Sequence, residues 1–290
     1  MTLASLLLVI LASFIHASWN LLAKRAAPVG PVFVLAYTMI ACVAYAPWVA
    51  YLLADGGVLW TWAGAGFVLL SGLIHLAYSL CLQRGYQVAD LSVVYPVARG
   101  TGPALSSIGA FLILGETPTG AGLLGLALVL AGILLIATQG RLAVFSSPGG
   151  LAGVRWGGAT GGLIACYTVV DAYSVKALGV APVILDWFTN LLRFLLLLPM
   201  VLANRRRAME AMRGYWRIAI GVGLLSPLSY ILVLAALKMG APLSLVAPMR
   251  EMSMMVGALM GMLVLREAVG RWRLIGCAVL VAGVFLLSTA

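Results

Sequence analysis

Long apolar runs separated by short polar breaks fill the chain from end to end. Runs long enough to cross roughly 30 Å of hydrocarbon fall at about 3–23, 31–53, 62–83, 90–114, 120–139, 155–177, 182–203, 216–237, 242–265 and 271–289. The breaks are too short to hold a sizeable soluble domain. The pattern predicts an all-α integral membrane protein with ten transmembrane helices.

The runs repeat. At a shift of about 151 to 152 residues, Asn20 falls on Asp171, Pro31 on Pro182, Tyr78 on Tyr230 and Leu91-Ser92 on Leu243-Ser244. Farther along, Pro96 falls on Pro248, Arg99 on Arg250 after a one-residue slip, Glu116 on Glu267, Gly125 on Gly276 and Ala131-Gly132 on Ala282-Gly283. The halves, 1–145 and 146–290, hold five runs each, an odd number, so the copies enter the membrane from opposite sides. A five-plus-five inverted repeat around a central cavity is the expected architecture, the plan of secondary transporters.

Two runs are interrupted in the same way. The fourth reads Tyr95-Pro96-Val97-Ala98-Arg99-Gly100 and the ninth Val246-Ala247-Pro248-Met249-Arg250-Glu251. An arginine near mid-membrane costs at least about 2.5 kcal/mol, so it faces protein or a water-filled cavity. A proline beside it removes a backbone hydrogen bond. Each run is expected to break at its proline and to end at an interfacial, structural glutamate, Glu116 or Glu267.

Other polar residues fall into stripes. His16, Trp19 and Asn20 share a face of the first span by their spacing, answered in the sixth by Tyr167, Asp171 and Ser174. Asp171 is either a proton or cation site, half of a structural ion pair with Arg193 as partner, or a helix-end residue close to water. Ser71, His75 and Tyr78 line the third span and Ser226, Pro227, Ser229 and Tyr230 the eighth. Asp186, Asn190 and Arg193 share a face of the seventh, either a satisfied interior network or a ligand site. Trp48, Trp60, Trp62, Trp156, Trp216 and Trp272 sit near span ends, where an interfacial belt accounts for them. Trp19 and Trp187 lie deeper and remain candidates. Gly157-Gly158-Ala159-Thr160-Gly161-Gly162 reads as small-residue helix packing.

Composition excludes several classes. With 63% hydrophobic and 9% charged residues and a mean hydropathy of +1.11, the chain is no soluble domain. Cys42, Cys81, Cys166 and Cys277 fall singly in separate runs, which suggests neither a disulfide framework nor a metal site. No phosphate-binding GxxxxGK[ST] loop, HExxH or paired-carboxylate motif is present, so neither an ATPase nor an enzyme is expected, and no cofactor. The first run, lacking basic residues before it, is expected to be a retained span. The net charge of +10 reads as topology, with no nucleic-acid partner. Alternating the loops places Lys24, Arg25, Arg84, Arg141, Arg155, Arg205, Arg206, Arg207, Arg213, Arg217, Arg266, Arg271 and Arg273 on one side, and Lys176 and Lys238 on the other. Because positive loops stay in the cytoplasm, both termini are expected outside.

The five-plus-five repeat, the paired Pro-x(1–2)-Arg segments, the Leu-Gly-Glu and Leu-Arg-Glu endings and the opening His16-Ala17-Ser18-Trp19-Asn20 together resemble the EamA family of the drug/metabolite transporter superfamily. That resemblance implies a multi-pass protein of the bacterial inner membrane, a cavity built from spans 1, 3, 4, 6, 8 and 9, and peripheral spans 5 and 10. Its relatives include exporters of amino acids and related metabolites and, more distantly, nucleotide-sugar and triose-phosphate antiporters. It supplies no universal binding residues.

The residues point to a secondary exporter of a small zwitterionic or anionic metabolite, such as an amino acid or derivative, working by alternating access. A phosphorylated-sugar or nucleotide-sugar antiporter and a translocase of lipid-linked substrates are the alternatives. The candidate substrate-binding residues are Arg99, Arg250, Glu251, Tyr95, Tyr78, His75, Trp19, Asn20, Asp171, Tyr230 and Trp187. The arginines supply forks for a carboxylate, Glu251 or Asp171 meets an ammonium group or carries a coupling proton, and the aromatic residues shape the cavity. Since one chain holds both halves, a monomer is a sufficient unit, compatible with a dimer as well.

Overall fold

A computed structural model describes residues 1–56, 61–88, 91–141, 143, 145, 150–265 and 270–290. Trp60, Arg266 and Glu267, to which the sequence assigns roles, lie outside the described residues. Helices account for nearly all of the described chain. They are α1 (Leu3–Arg25), α2 (Pro31–Ala54), α3 (Trp62–Val88), α4 (Leu91–Ile113), α5 (Gly120–Thr138), α6 (Gly150–Lys176), α7 (Pro182–Leu202), α8 (Arg205–Ala211), α9 (Trp216–Lys238), α10 (Leu243–Met249), α11 (Met252–Leu265) and α12 (Arg271–Thr289). The apolar runs and the helices coincide to within a few residues, because a segment in hydrocarbon satisfies its backbone groups only by coiling. Among the described residues α1, α2, α3, α5, α7, α9 and α12 are long and apolar enough to cross a bilayer. The exceptions are informative. Helices α4 and α6 carry Arg99 and Asp171, and the α10–α11 pair flanks Arg250 and Glu251, so charge and interruption reduce the apolar signal where the chemistry sits.

Local sequence sets the ends. Pro31 and Pro182 open α2 and α7 from the first turn, where a missing N–H costs nothing. The Thr119 side chain caps α5 by accepting from Gly122 N at 3.0 Å. The arginine-rich connection after α7 forms the short α8, in which Ala208 is buried, and Met212 just after it packs with Ala26, Phe33 and Ala219.

The expected proline break is realised once. Helix α4 continues through both Pro96 and Pro103. In the second half the chain stops being α-helical at Arg250 and Glu251 and tightens. Glu251 N donates to the Pro248 carbonyl at 3.0 Å and Met254 N to the Glu251 carbonyl at 2.9 Å. These three-residue bonds replace the four-residue ladder and turn two charged side chains inward at one point.

Helix α1 packs along α9, α6 along α3 and α4, α2 meets α9 and α7, α7 meets α3, and α5 packs along α12. The α5–α12 contact is antiparallel and backbone-close. A Cβ added at Gly132 would stand 2.8 Å from the Gly276 carbonyl, and one added at Gly283 would stand 2.8 Å from the Gly125 carbonyl. Helices α4 and α6 meet through Gly157 and Gly161, where an added Cβ would reach the Val94 carbonyl at 2.8 Å and the Ala98 carbonyl at 3.0 Å. This places α6 directly against the turn of α4 that bears Arg99.

Candidate functional site

Two linked clusters of buried charge occupy the centre. In the first, Arg99 from α4 reaches the second half of the chain. Its Nη1 donates to Glu251 Oε1 at 3.2 Å and lies 3.2 Å from Oε2, and its Nη2 is 3.1 Å from His16 Nε2. Arginine has no acceptor, so His16 Nε2 accepts and the imidazole is neutral. The guanidinium also lies 5.5 Å from the centre of the Tyr95 ring on its own helix, within cation–π range. His16 meets Trp19 edge-on at 4.9 Å, and Trp19 Nε1 donates to Ser229 Oγ at 3.1 Å. Arg99 is thereby held by a carboxylate, an imidazole and a ring, and Glu251, only 1% exposed, is neutralised.

The second cluster joins α3, α6 and α9. Tyr230 donates its hydroxyl to Asp171 Oδ2 at 2.5 Å. His75 Nδ1 lies 2.9 Å from the Ser71 carbonyl, an acceptor only, so the ring proton sits on Nδ1 and Nε2 faces Asp171 Oδ2 at 4.0 Å. Tyr167 stacks on His75 at 4.0 Å, with Tyr78 and Tyr230 edge-on to it at 5.7 and 6.2 Å. Asp171 has no exposure to solvent, and its Oδ1 has no hydrogen-bond partner.

Arg250 stands between the clusters. Its electrostatic neighbours are Tyr167, Glu251, Tyr230 and Arg99. It is 5% exposed, and its Nε is buried without a hydrogen bond. The two arginines of the paired motif are therefore unlike: Arg99 is bonded to Glu251 and His16, whereas Arg250 has a buried Nε without a hydrogen bond.

The remaining candidates sit apart from these clusters. Asn20 donates to the His16 carbonyl one turn back at 2.8 Å. Trp187 turns toward α2 and donates to the Cys42 carbonyl at 2.8 Å. On α7, Arg193 donates to Asn190 at 2.6 Å and Asn190 to Asp186 at 2.9 Å, so Arg193 serves this intrahelical chain, while Asp171 bonds to Tyr230. Site residues absent from the candidate set are His16, Tyr167 and Ser229. The signal for Tyr167 was its place one turn before Asp171 on the same face.

At one end of the bundle Glu116 ties the halves together. Its Oε1 accepts from Leu243 N at 2.6 Å and Lys176 Nζ at 3.0 Å, and its Oε2 from Ser244 N at 2.9 Å and Ser244 Oγ at 2.7 Å. Burial pushes this carboxyl up, but the bonds from Ser244, Leu243 and Lys176 outweigh it and hold it below the ordinary glutamate value. A cleft of about 390 Å³ opens beside it, lined by Phe111, Thr117, Leu126, Pro242 and Leu245 among others.

Residues 3–138 match the EamA-like transporter family. The chain is also 38% identical over 77 residues, 27% of its length, to multidrug resistance protein EbrB of Bacillus subtilis (strain 168), covering 61% of that protein. It is 40% identical over 81 residues, 28% of its length, to EbrB of Bacillus atrophaeus, covering 58% of it. It thus spans about three fifths of the length of these curated relatives. A crystal structure superposes with a TM-score of 0.78 at 17% identity over 98% of both chains, a likeness of fold. With seven membrane-length apolar helices among the described residues, the chain is an all-α multi-pass membrane protein.

Proposed function

We propose that this protein is a membrane transporter, a secondary exporter of small zwitterionic metabolites, amino acids or their derivatives, working by alternating access between halves 1–145 and 146–290 as inverted repeats. The observation that carries this reading is Arg250, a buried guanidinium whose Nε has no hydrogen bond, within electrostatic reach of a buried carboxylate, Asp171, whose Oδ1 has none either. A permanently charged buried group left without a partner is costly. A substrate that brings a carboxylate to Arg250 and an ammonium group to Asp171 removes both deficits at once. Glu251 is less suited to the ammonium because Arg99 already holds it. Asp171 is also the carboxylate that carries a coupling proton if there is one. The charge asymmetry of the loops favours both termini outside the cytoplasm of a bacterial inner membrane.

A phosphorylated substrate is less favoured, since it calls for both arginines and only Arg250 is uncommitted. A second reading has its own support: the relatives are named multidrug resistance proteins, and the rings of His75, Tyr78, Tyr167 and Tyr230 beside Asp171 suit an apolar cation. Counterflow in proteoliposomes loaded with radiolabelled amino acids separates the two. The zwitterion reading expects efflux by the wild type and none by Arg250→Ala, with the variant still eluting as folded protein. Efflux that survives Arg250→Ala overturns it.

A further inference from the structure

The repeat gives Arg250 a missing partner. Arg99 is held by Glu251 from the second half and by His16 from α1. Exchanging the halves carries Arg99 to Arg250, His16 to Tyr167 and Glu251 to Gly100, the residue after each arginine being the counterpart of the other. Tyr167 is indeed a neighbour of Arg250. The carboxylate is what the exchange does not return, because position 100 has no side chain. The position is open at its first atom: a Cβ built at Gly100 meets nothing within 4 Å. Gly100 lies within the continuous α4, so neither packing nor a turn calls for glycine there, and in a helix interior glycine is unfavourable relative to alanine.

We infer that the open position at Gly100 is the carboxylate subsite: the substrate's carboxylate binds Arg250 where a repeat-related glutamate would otherwise stand. This rests on the zwitterion reading and sharpens it. A glutamate at position 100 would give Arg250 the internal partner that Arg99 has, and the protein would bind itself in place of substrate. Gly100 is then a specificity-determining residue, since its lack of a side chain leaves one arginine charged and available.

The test compares Gly100→Glu with Gly100→Gln, which adds the same bulk and similar helix propensity without the charge. Each is made in the wild-type background and with Arg250→Met, and again with Arg250→Gln in case the methionine variant fails to fold. Thermal unfolding of the purified proteins is followed with and without acetate, the minimal carboxylate probe. Gly100→Glu is expected to unfold at a higher temperature than Gly100→Gln, with the difference lost when Arg250 is replaced. Acetate is expected to raise the midpoint of the wild type and of Gly100→Gln, by mass action on the folded state, and to leave Gly100→Glu unmoved. Equal midpoints for the glutamate and glutamine variants, or a gain that persists without Arg250, overturn the subsite alone. An Arg250-dependent gain with no acetate response in the wild type overturns the carboxylate-substrate reading, and the subsite with it.

Discussion

Helices α5 and α12 meet through glycines that the repeat exchanges one for one, whereas α4 and the α10–α11 pair share a place in the fold but not a chemistry. At the periphery Gly125 and Gly132 face Gly283 and Gly276 with carbonyls too close to admit a Cβ on either side. In the centre one copy is a continuous helix with Arg99 followed by Gly100, and the other is interrupted with Arg250 followed by Glu251. A backbone contact has the same requirement on both sides, so it keeps the symmetry of the duplication. A binding site for an asymmetric molecule does not, and its two halves are free to differ.

The comparison is sharpened most by removing each arginine in turn. Arg99→Ala leaves Glu251 buried and unpaired, and breaking a buried pair this way costs about 3–5 kcal/mol. Arg250→Met takes away no hydrogen-bonded partner, and its stability is expected to equal or exceed that of the wild type. Thermal unfolding of the two purified variants in the same detergent checks this, and equal destabilisation would remove the distinction between a structural and an available arginine.

A smaller effect tests the peripheral contact. Gly132→Val places a branched side chain against the Gly276 carbonyl, and Gly276→Val does the reverse, each costing about 1–3 kcal/mol by overpacking. If the contact is symmetric, the two variants unfold at similar temperatures. A marked difference between them would show that the periphery, too, has diverged.

The smallest effect concerns Glu116, which joins the loop after α4 to the start of α10. Glu116→Gln keeps one acceptor oxygen and is expected to cost of the order of 1 kcal/mol at neutral pH, the net worth of a hydrogen bond. Because the folded carboxyl lies below its ordinary value, its contribution is complete above the unfolded value of about 4.3 and disappears as the pH falls through the lowered one. Unfolding midpoints of the wild type and Glu116→Gln should therefore converge on acidification below that value. A constant gap down to strongly acid pH would show that the ionised carboxylate is not what holds α10.

The apolar runs located nearly every helix, and the Arg99 and Arg250 pair stood out as charges where hydrocarbon penalises charge. The partners of those two arginines were the limit of sequence reasoning: Glu251 after one and Gly100 after the other mark the copies as different, but a shared motif says nothing of which partner each one finds. Trp187 likewise read as a central residue by depth alone, and helix rotation turned it to the Cys42 carbonyl on α2. The break expected in both copies occurs only in the second, because a proline removes one hydrogen bond but does not dictate whether neighbouring helices hold the chain straight.

What the sequence by itself determined is the set of membrane-length helices, since backbone hydrogen bonding in a bilayer admits few alternatives. Only the tertiary structure decided which charges neutralise one another. Arg99 and Glu251 are separated by 152 residues, and their pairing depends on the approach of helices from opposite halves. That approach is set by glycine and side-chain packing, which no spacing along the chain encodes.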